Sequence, residues 1–383
     1  SPRYRLLDSM RDYAGLKLQA SGEQPVLQAH HARAVADLMD GAYEAYWLSS
    51  DAAWLGRFGC DIDNVRAALD WAQAHDPRLA VRLQGAAGPL FLLLGLAPEG
   101  RLRGRQIEAL AEGLGDDLVA TRYWLEHSRL HWGVDNAVML ACAQRAAQAS
   151  RSANDARGVY LALRCVAGSG MLERDAAVAL LREMAALEHP DWPARLLTQR
   201  QMAEVGVLRS LEHMADARRV CQNLLVRAQS AGLDGVMSAG LSDLAAISLA
   251  LGDTEAALRI SQDILSRGRH RRDNFVVHAL AIVACVAFVR SDLAQARATL
   301  SDFLAASRSR SVRPAPRLSV LDAGVRERRI HLAARFRDDD FVLDVQAADV
   351  GLAHVRRVDR ERHAGLDDGH DDGHVVPVER GEA

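Results

Sequence analysis

The densest set of metal-ligating side chains in the sequence is HAGLDDGHDDGH, which sets His363, His370 and His374 among Asp367, Asp368, Asp371 and Asp372. Imidazole and carboxylate groups bind zinc or nickel. Gly369 and Gly373 prevent these ligands from being held on a rigid helix, and a flexible tail loses entropy on closing around an ion. The run therefore reads as a solvated tail with adventitious metal affinity rather than a metal centre. His30-His31 falls early in an amphipathic helical pattern, with His31 half exposed, and no neighbour completes a catalytic dyad. Cys60, Cys142, Cys165, Cys221 and Cys285 are widely spaced, odd in number and form no CxxC pair. Most sit in apolar helical surroundings, as small buried hydrophobes of a reducing compartment do. Lys17 is the only lysine and follows no glycine-rich run, so there is no GxxxxGK[ST] phosphate loop. GxSxG and HExxH are also missing. The expectation is a non-enzyme with no catalytic, cofactor or metal site. A metal-dependent hydrolase using the tail histidines is the rival.

The basic clusters RLRGR (Arg101–Arg105) and RGRHRR (Arg267–Arg272) read as solvated faces or as charge favourable at a helix C-terminus, with phosphate contact as the alternative. No aromatics interleave with them as base stacking would require. The formal charge of −3 argues against a globally basic nucleic-acid binder. The longest apolar runs, PLFLLLGLA and HALAIVACVAFV, are too short to span a bilayer, and no charged-then-apolar signal opens the chain. A cytoplasmic location is therefore expected. The first residue is Ser rather than Met, which leaves open whether the chain is a fragment, a natural short protein or the product of a broken gene.

What would position such residues is a helical scaffold. Hydrophobic residues are 49 % of the chain but aromatics only 5 %, with Ala and Leu dominant, a mixture suited to close-packed helices. In LALGDTEAALRISQDIL, Gly252-Asp253 breaks an apolar run, Asp253 or Thr254 can cap the helix that begins there, and Ala257, Ile260 and Ile264 share one helical face. Markers equivalent to Ala257 occur at Gly100, Met139, Ala177, Ala217 and Ala296, separated in chain order by 39, 38, 40, 40 and 39 residues. Seven residues after each marker come Ile107, Ala146, Met184, Leu224, Ile264 and Phe303, all apolar. The period lies between those of tetratricopeptide (TPR) repeats and HEAT or armadillo repeats. It predicts an all-α fold, a right-handed α-solenoid of TPR-like hairpins with turns near Gly95, Asp135, Glu173, His213, Asp253 and Asp292.

Upstream, Gln24–Trp47 is a long helical pattern, Trp54, Leu55 and Phe58 begin another, and Cys60–Asp76 sets Val65, Leu69 and Ala72 at core spacing behind an acidic helix start. Beyond about Ser307 the pattern fails: SRSRSVRPAPR is a linker by composition, and the Gly/Asp/His end is expected to be disordered. Between them Val320–Phe336 is helix-capable and could cap the last repeat, and DDDFVLDVQAADVGLAHV could hold one strand. The domain reading is a joint over 1–24, a helical linker over 25–76, about six hairpins over 77–306 and a poorly ordered tail over 307–383.

Two further stretches carry a family resemblance. YRLLDSMRDYAGLKLQASGE (Tyr4–Glu23), followed by a His-containing helix, resembles the joint after the nucleotide-binding core of bacterial STAND-type ATPases, the LuxR-like or antibiotic-regulator (SARP)-like regulators of transcription. WLGRFGCDIDNVRAALDWA (Trp54–Ala72) resembles their next segment, a D-N-[LV]-R-A-A-L-x-W run, here Asp63 to Trp71. GLAPEGRLRGRQIEAL resembles the first unit of their TPR-like array, so the likeness covers residues 1 to 305. It implies a DNA-binding domain, an ATP-dependent switch and a helical sensor arm. This chain lacks the Walker motifs, a winged helix and a C-terminal helix-turn-helix, so it matches the joint and the arm alone and carries no ATP site.

The resulting expectation is a non-enzymatic module that binds a protein, a peptide or a small effector along a concave groove, with no direct nucleic-acid or membrane contact. By resemblance its partners include the ATPase and DNA-binding domains of the same regulator. TPR spacing sets Gln199, Met202 and Arg209, then Ser242 and Leu249, then His278 and Phe288 on the groove side of the inner helices. Helix–helix packing is the alternative for Met202, Leu249 and Phe288. A stand-alone TPR-like scaffold is the competing functional reading.

Overall fold

Each of the six anticipated turns is followed within a few residues by a helix start. The computed structural model describes residues 8–115, 118–268, 275–310, 330–337 and 340–347. Among these, the chain opens with α1 (Asp8–Ser21), the long α2 (Gln24–Leu48) and α3 (Asp51–Phe58). One 3-10 turn then leads to α4 (Ile62–His75), α5 (Pro77–Ala86) and α6 (Gly88–Leu93). The repeat continues through α7 (Ala97–Gly113), α8 (Leu118–Leu130), α9 (Asn136–Ser152), α10 (Ala156–Gly168), α11 (Arg174–Leu187) and α12 (Ala194–Ser210). It closes with α13 (Met214–Ser230), α14 (Asp234–Ala250), α15 (Thr254–Gly268), α16 (Phe275–Val289) and α17 (Leu293–Arg310).

Local chemistry places these starts. Asp135, Asp253 and Asp292 each turn a side-chain oxygen onto the N–H three residues on, at 3.1, 3.0 and 3.0 Å, satisfying an otherwise orphaned donor of α9, α15 and α17. The residue before the cap is left-handed in three successive turns, at Glu212, Gly252 and Ser291, so the backbone repeats its turn even where the sequence lacks glycine. Pro89 near the start of α6 interrupts the first inner helix, which is why that unit carries α5 and α6 where later units have one helix.

The markers explain the stacking. Gly100, Met139, Ala177, Ala217 and Ala257 are buried, as are all six residues of the second column from Ile107 to Phe303. Ala296, in the last described hairpin, is half-buried. Each inner helix of α8, α10, α12, α14 and α16 packs on the next of its kind as well as on its hairpin partner. The described helical body is thus an all-α solenoid of TPR-like hairpins, in which no hairpin buries its apolar face alone. The apolar α16 is sandwiched among α14, α15 and α17, and no helix among the described residues is long and apolar enough to cross a membrane. Because Ala217 packs with Val205, Cys221 and Ile247 where α12, α13 and α14 meet, Ala217→Leu should overpack that crossing. A loss of about 1–3 kcal/mol in urea unfolding is expected.

The expectation of a helix over Val320–Phe336 is corrected for its last seven residues. Ile330–Arg337 is a strand, β1, paired antiparallel with β2 (Asp340–Ala347), the latter within the segment expected to hold a strand. The register sets Ile330 opposite Ala347, Leu332 opposite Val345, Ala334 opposite Leu343 and Phe336 opposite Phe341. This two-residue alternation of apolar positions suits a ladder better than a helical face. The rest of the expected cap, and the remainder of the 307–383 tail beyond Arg310 and the two strands, lie outside the described residues.

Candidate functional site: the inner groove of the repeat

The inner helices contact one another in succession, so their exposed faces line one concave surface. That surface is curved enough for Trp132, just past α8, to meet Phe275 at the start of α16, with ring centroids 5.3 Å apart. Its two ends differ.

At the end formed by the N-terminal halves of α10, α12 and α14, the groove is covered by the C-terminal turns of α2 and the start of α3, while the rest of α2 packs on α4 and α5. α2 carries Tyr43, Tyr46 and Trp47 on one buried face. The Tyr43 hydroxyl donates to Glu126 of α8 at 3.0 Å. Arg129 donates to both oxygens of Glu126 at 2.8 Å and to the Tyr46 hydroxyl at 2.9 Å. Burial and the Glu126 carboxylate together raise the Tyr43 hydroxyl well above its ordinary range, so it remains a donor. Arg157 of α10 pairs with Glu44 at 2.8 Å. Arg195 of α12 lies 4.0 Å from the Tyr46 ring centroid, a cation over an aromatic face.

The deepest point of this docking is Asp51, at the start of α3. Its carboxylate accepts from Arg195 at 2.7 Å and from the Gly235 N–H of α14 at 2.8 Å, while the Asp51 N–H donates to the Gly232 carbonyl at 3.0 Å. The Arg195 and Asp51 side chains are only 3 % and 4 % exposed. Gly232 is left-handed, and a Cβ there would stand 2.8 Å from that of Ser50, so glycine is required both for the turn and for the approach. Sequence reasoning missed this contact set. Its one signal was a run of large aromatics on a helix outside the repeat.

Toward the C-terminal ends of α10 and α12 the groove stays open as a cavity of about 190 Å³, lined by Trp132, Arg164, Met202, Gly206, Arg209 and Asp243 among others. The anticipated groove residues divide accordingly. Arg209 lies in this cavity, ion-paired with Asp243, and Met202 reaches it while also packing on Leu224 and Leu233. His278 is exposed, close to Phe275. Gln199 donates back to the Arg195 carbonyl of its own helix at 2.9 Å. Ser242 is buried, and Leu249 is enclosed with Ala257, Ile282 and Val286 in the α14–α15–α16 packing, off the groove surface. Phe288 is half-buried near the end of α16.

Other chemistry-bearing residues fall elsewhere. His30 and His31 are both exposed. Cys142, Cys165, Cys221 and Cys285 are buried, and burial pushes the Cys142, Cys221 and Cys285 thiols up to about 12. Cys60 departs from the expected pattern and is exposed. Arg101 is not on a solvated face: it is 6 % exposed and donates to the Leu130 carbonyl at the end of α8 at 2.9 Å. Among the described residues no cluster of His, Cys, Asp or Glu could hold a metal ion. His363, His370 and His374 lie outside the described residues.

α8 also buries His127, stacked on Tyr123 and with both ring nitrogens lacking a partner. Burial first, then the charges of His131, Arg105 and Arg101, lower its pKa to about 3. A depressed histidine pKa means that between about pH 6.5 and 3 the unfolded chain binds more protons, so stability falls as pH drops through that window. Between pH 7 and pH 5 the loss from this group is about 2 kcal/mol. His127→Phe should flatten the stability–pH curve by that amount in urea titrations at the two pH values.

No family model matches the sequence, and no curated protein matches it. Among solved structures, one similar chain is a signal transduction ATPase with numerous domains (STAND) protein with a tetratricopeptide repeat sensor from Pyrococcus horikoshii. The match has 12 % identity and a TM-score of 0.39, and covers 79 % of this chain and 47 % of that one. This chain therefore spans about half the length of the protein it resembles.

Proposed function

We propose that this chain is a helical-repeat interaction module serving as the sensing arm of an ATP-dependent regulator of transcription, of LuxR-like or antibiotic-regulator-like type, acting in the cytoplasm. The arm itself is non-catalytic and needs no cofactor. It binds a protein, peptide or small effector in its groove and thereby restrains or releases the ATPase and DNA-binding parts of the regulator. The observation that supports this most is the docking of α2 and α3 along the groove, locked at Asp51 and Arg195. The segment that resembles the joint to an ATPase is continuous with α2, which packs on α4 and α5 and sets its C-terminal aromatics against the inner helices. An effector that binds better when that helix is displaced shifts the pair of states, as differential affinity requires.

The test is to read the coding frame ahead of Ser1, express the portion found there, and measure its ATPase rate with and without this chain. Suppression by the chain, relieved by Asp51→Ala, supports the reading. A frame with no phosphate-binding loop, or no association, overturns it in favour of a stand-alone scaffold. The chain alone should show no ATP binding at micromolar affinity by calorimetry, since its single lysine, Lys17, lies within helix α1 and not in a glycine-rich loop.

A further inference from the structure

The open end of the groove holds Arg164, half-buried and within the field of Asp243. Arg164 lines the cavity, and its Nε is inaccessible and without a hydrogen-bond partner. Among the described residues its guanidinium makes no ion pair, although Arg209 beside it is neutralised by Asp243. Desolvating Nε without a partner is costly, while the rest of the guanidinium stays accessible on a half-buried side chain. Gly168 lies beside it: a Cβ at that position would stand 2.5 Å from Arg164 Nη1, the mobile end of the side chain. Gly206, within α12, weakens its helix and yet has no packing reason, because a Cβ there would meet nothing within 4 Å. It leaves the cavity wall bare.

We infer that this cavity is a binding site for a small monocarboxylate with an apolar body, its carboxylate paired with Arg164. The lining supports both halves of that description. Two arginines and one aspartate leave a net charge of one positive, and Trp132 and Met202 supply apolar wall. The planar guanidinium matches a carboxylate. An apolar cavity of about 150 Å³ admits benzene, so about 190 Å³ takes a body of that size with one carboxylate attached.

The inference rests on the sensing-arm reading and names its effector class. The full chain is titrated with benzoate and hexanoate, and in parallel with benzamide and hexanamide, by calorimetry and thermal melting. Saturable binding of a carboxylate at least tenfold tighter than its amide is expected, weakened at least tenfold by Arg164→Gln. Gly206→Ala should raise the melting temperature of the free chain, and Gly206→Leu, which fills the cavity, should abolish binding while melting cooperatively. Absence of saturable binding by either acid, equal affinity for acid and amide, or unchanged affinity in folded Arg164→Gln overturns the inference. If the chain associates with its ATPase portion but takes no carboxylate, this inference alone falls. If it takes the carboxylate and does not associate, only the regulatory reading falls.

Discussion

Asp51→Ala should lower the stability of the folded chain by about 3–5 kcal/mol, the usual consequence of removing one partner from a buried ion pair. The carboxylate is the acceptor for both Arg195 and the Gly235 N–H, and its loss strands a guanidinium that is 3 % exposed. What remains for Arg195 Nη2 is the Ser49 carbonyl at 2.8 Å. Because the same carboxylate ties α3 to the start of α14, the variant should also free the Gly235 amide to exchange with deuterium. The double variant Asp51→Leu with Arg195→Met separates charge from packing. Replacing a buried pair by apolar residues of similar volume is often neutral, so this variant should recover most of the loss. An Asp51→Ala loss below about 1 kcal/mol, with Gly235 still protected, would show that α2 and α3 are held by aromatic packing alone.

Leu224→Ala should cost about 2–5 kcal/mol, whereas Val226→Ala, two residues along the same helix, should stay within about 0.5 kcal/mol. Leu224 is fully buried against Met202, Ala228, Leu233 and Val236, where α12, α13 and α14 meet. Val226 is 69 % exposed. The contrast tests the repeat register directly, since a slip of two residues along α13 would exchange the two outcomes. Each hairpin leans on its neighbours, so the Leu224 cavity should also weaken the packing of α12 and α14. Urea unfolding followed by circular dichroism, with exchange protection read on all three helices, checks both effects.

The solenoid was legible because its grammar is local. Caps such as Asp135, Asp253 and Asp292 satisfy donors three residues away, and columns such as Ile107, Met184 and Phe303 lie on one face by helical period alone. These interactions depend on near neighbours in the chain, and the linear order displays them. The two strands past the linker were only half visible, because IHLAARFR fits a helical period loosely and a two-residue alternation closely, and the pairing partner decides between them.

The groove was not legible in the same way. TPR spacing could nominate Arg209 and Met202, but Leu249 sits on the same inner helices and is consumed by packing with α15 and α16. Arg101 and Leu102 show the limit plainly. The arginine is buried and the leucine 52 % exposed, the reverse of what side-chain polarity suggests, because the Leu130 carbonyl ending α8 waits beside Arg101. Likewise Asp51 reads as an ordinary helix-start aspartate until Arg195 and Gly235, 144 and 184 residues further on, arrive to fill its two oxygens. Sequence alone determined the helices, their caps and their period, since those energies are set within a few residues. Which part of the groove the chain covers with the end of its own α2, and which part it leaves open around Arg164, was decided by tertiary structure. Pairing of charges across such separations depends on where the solenoid's curvature brings them.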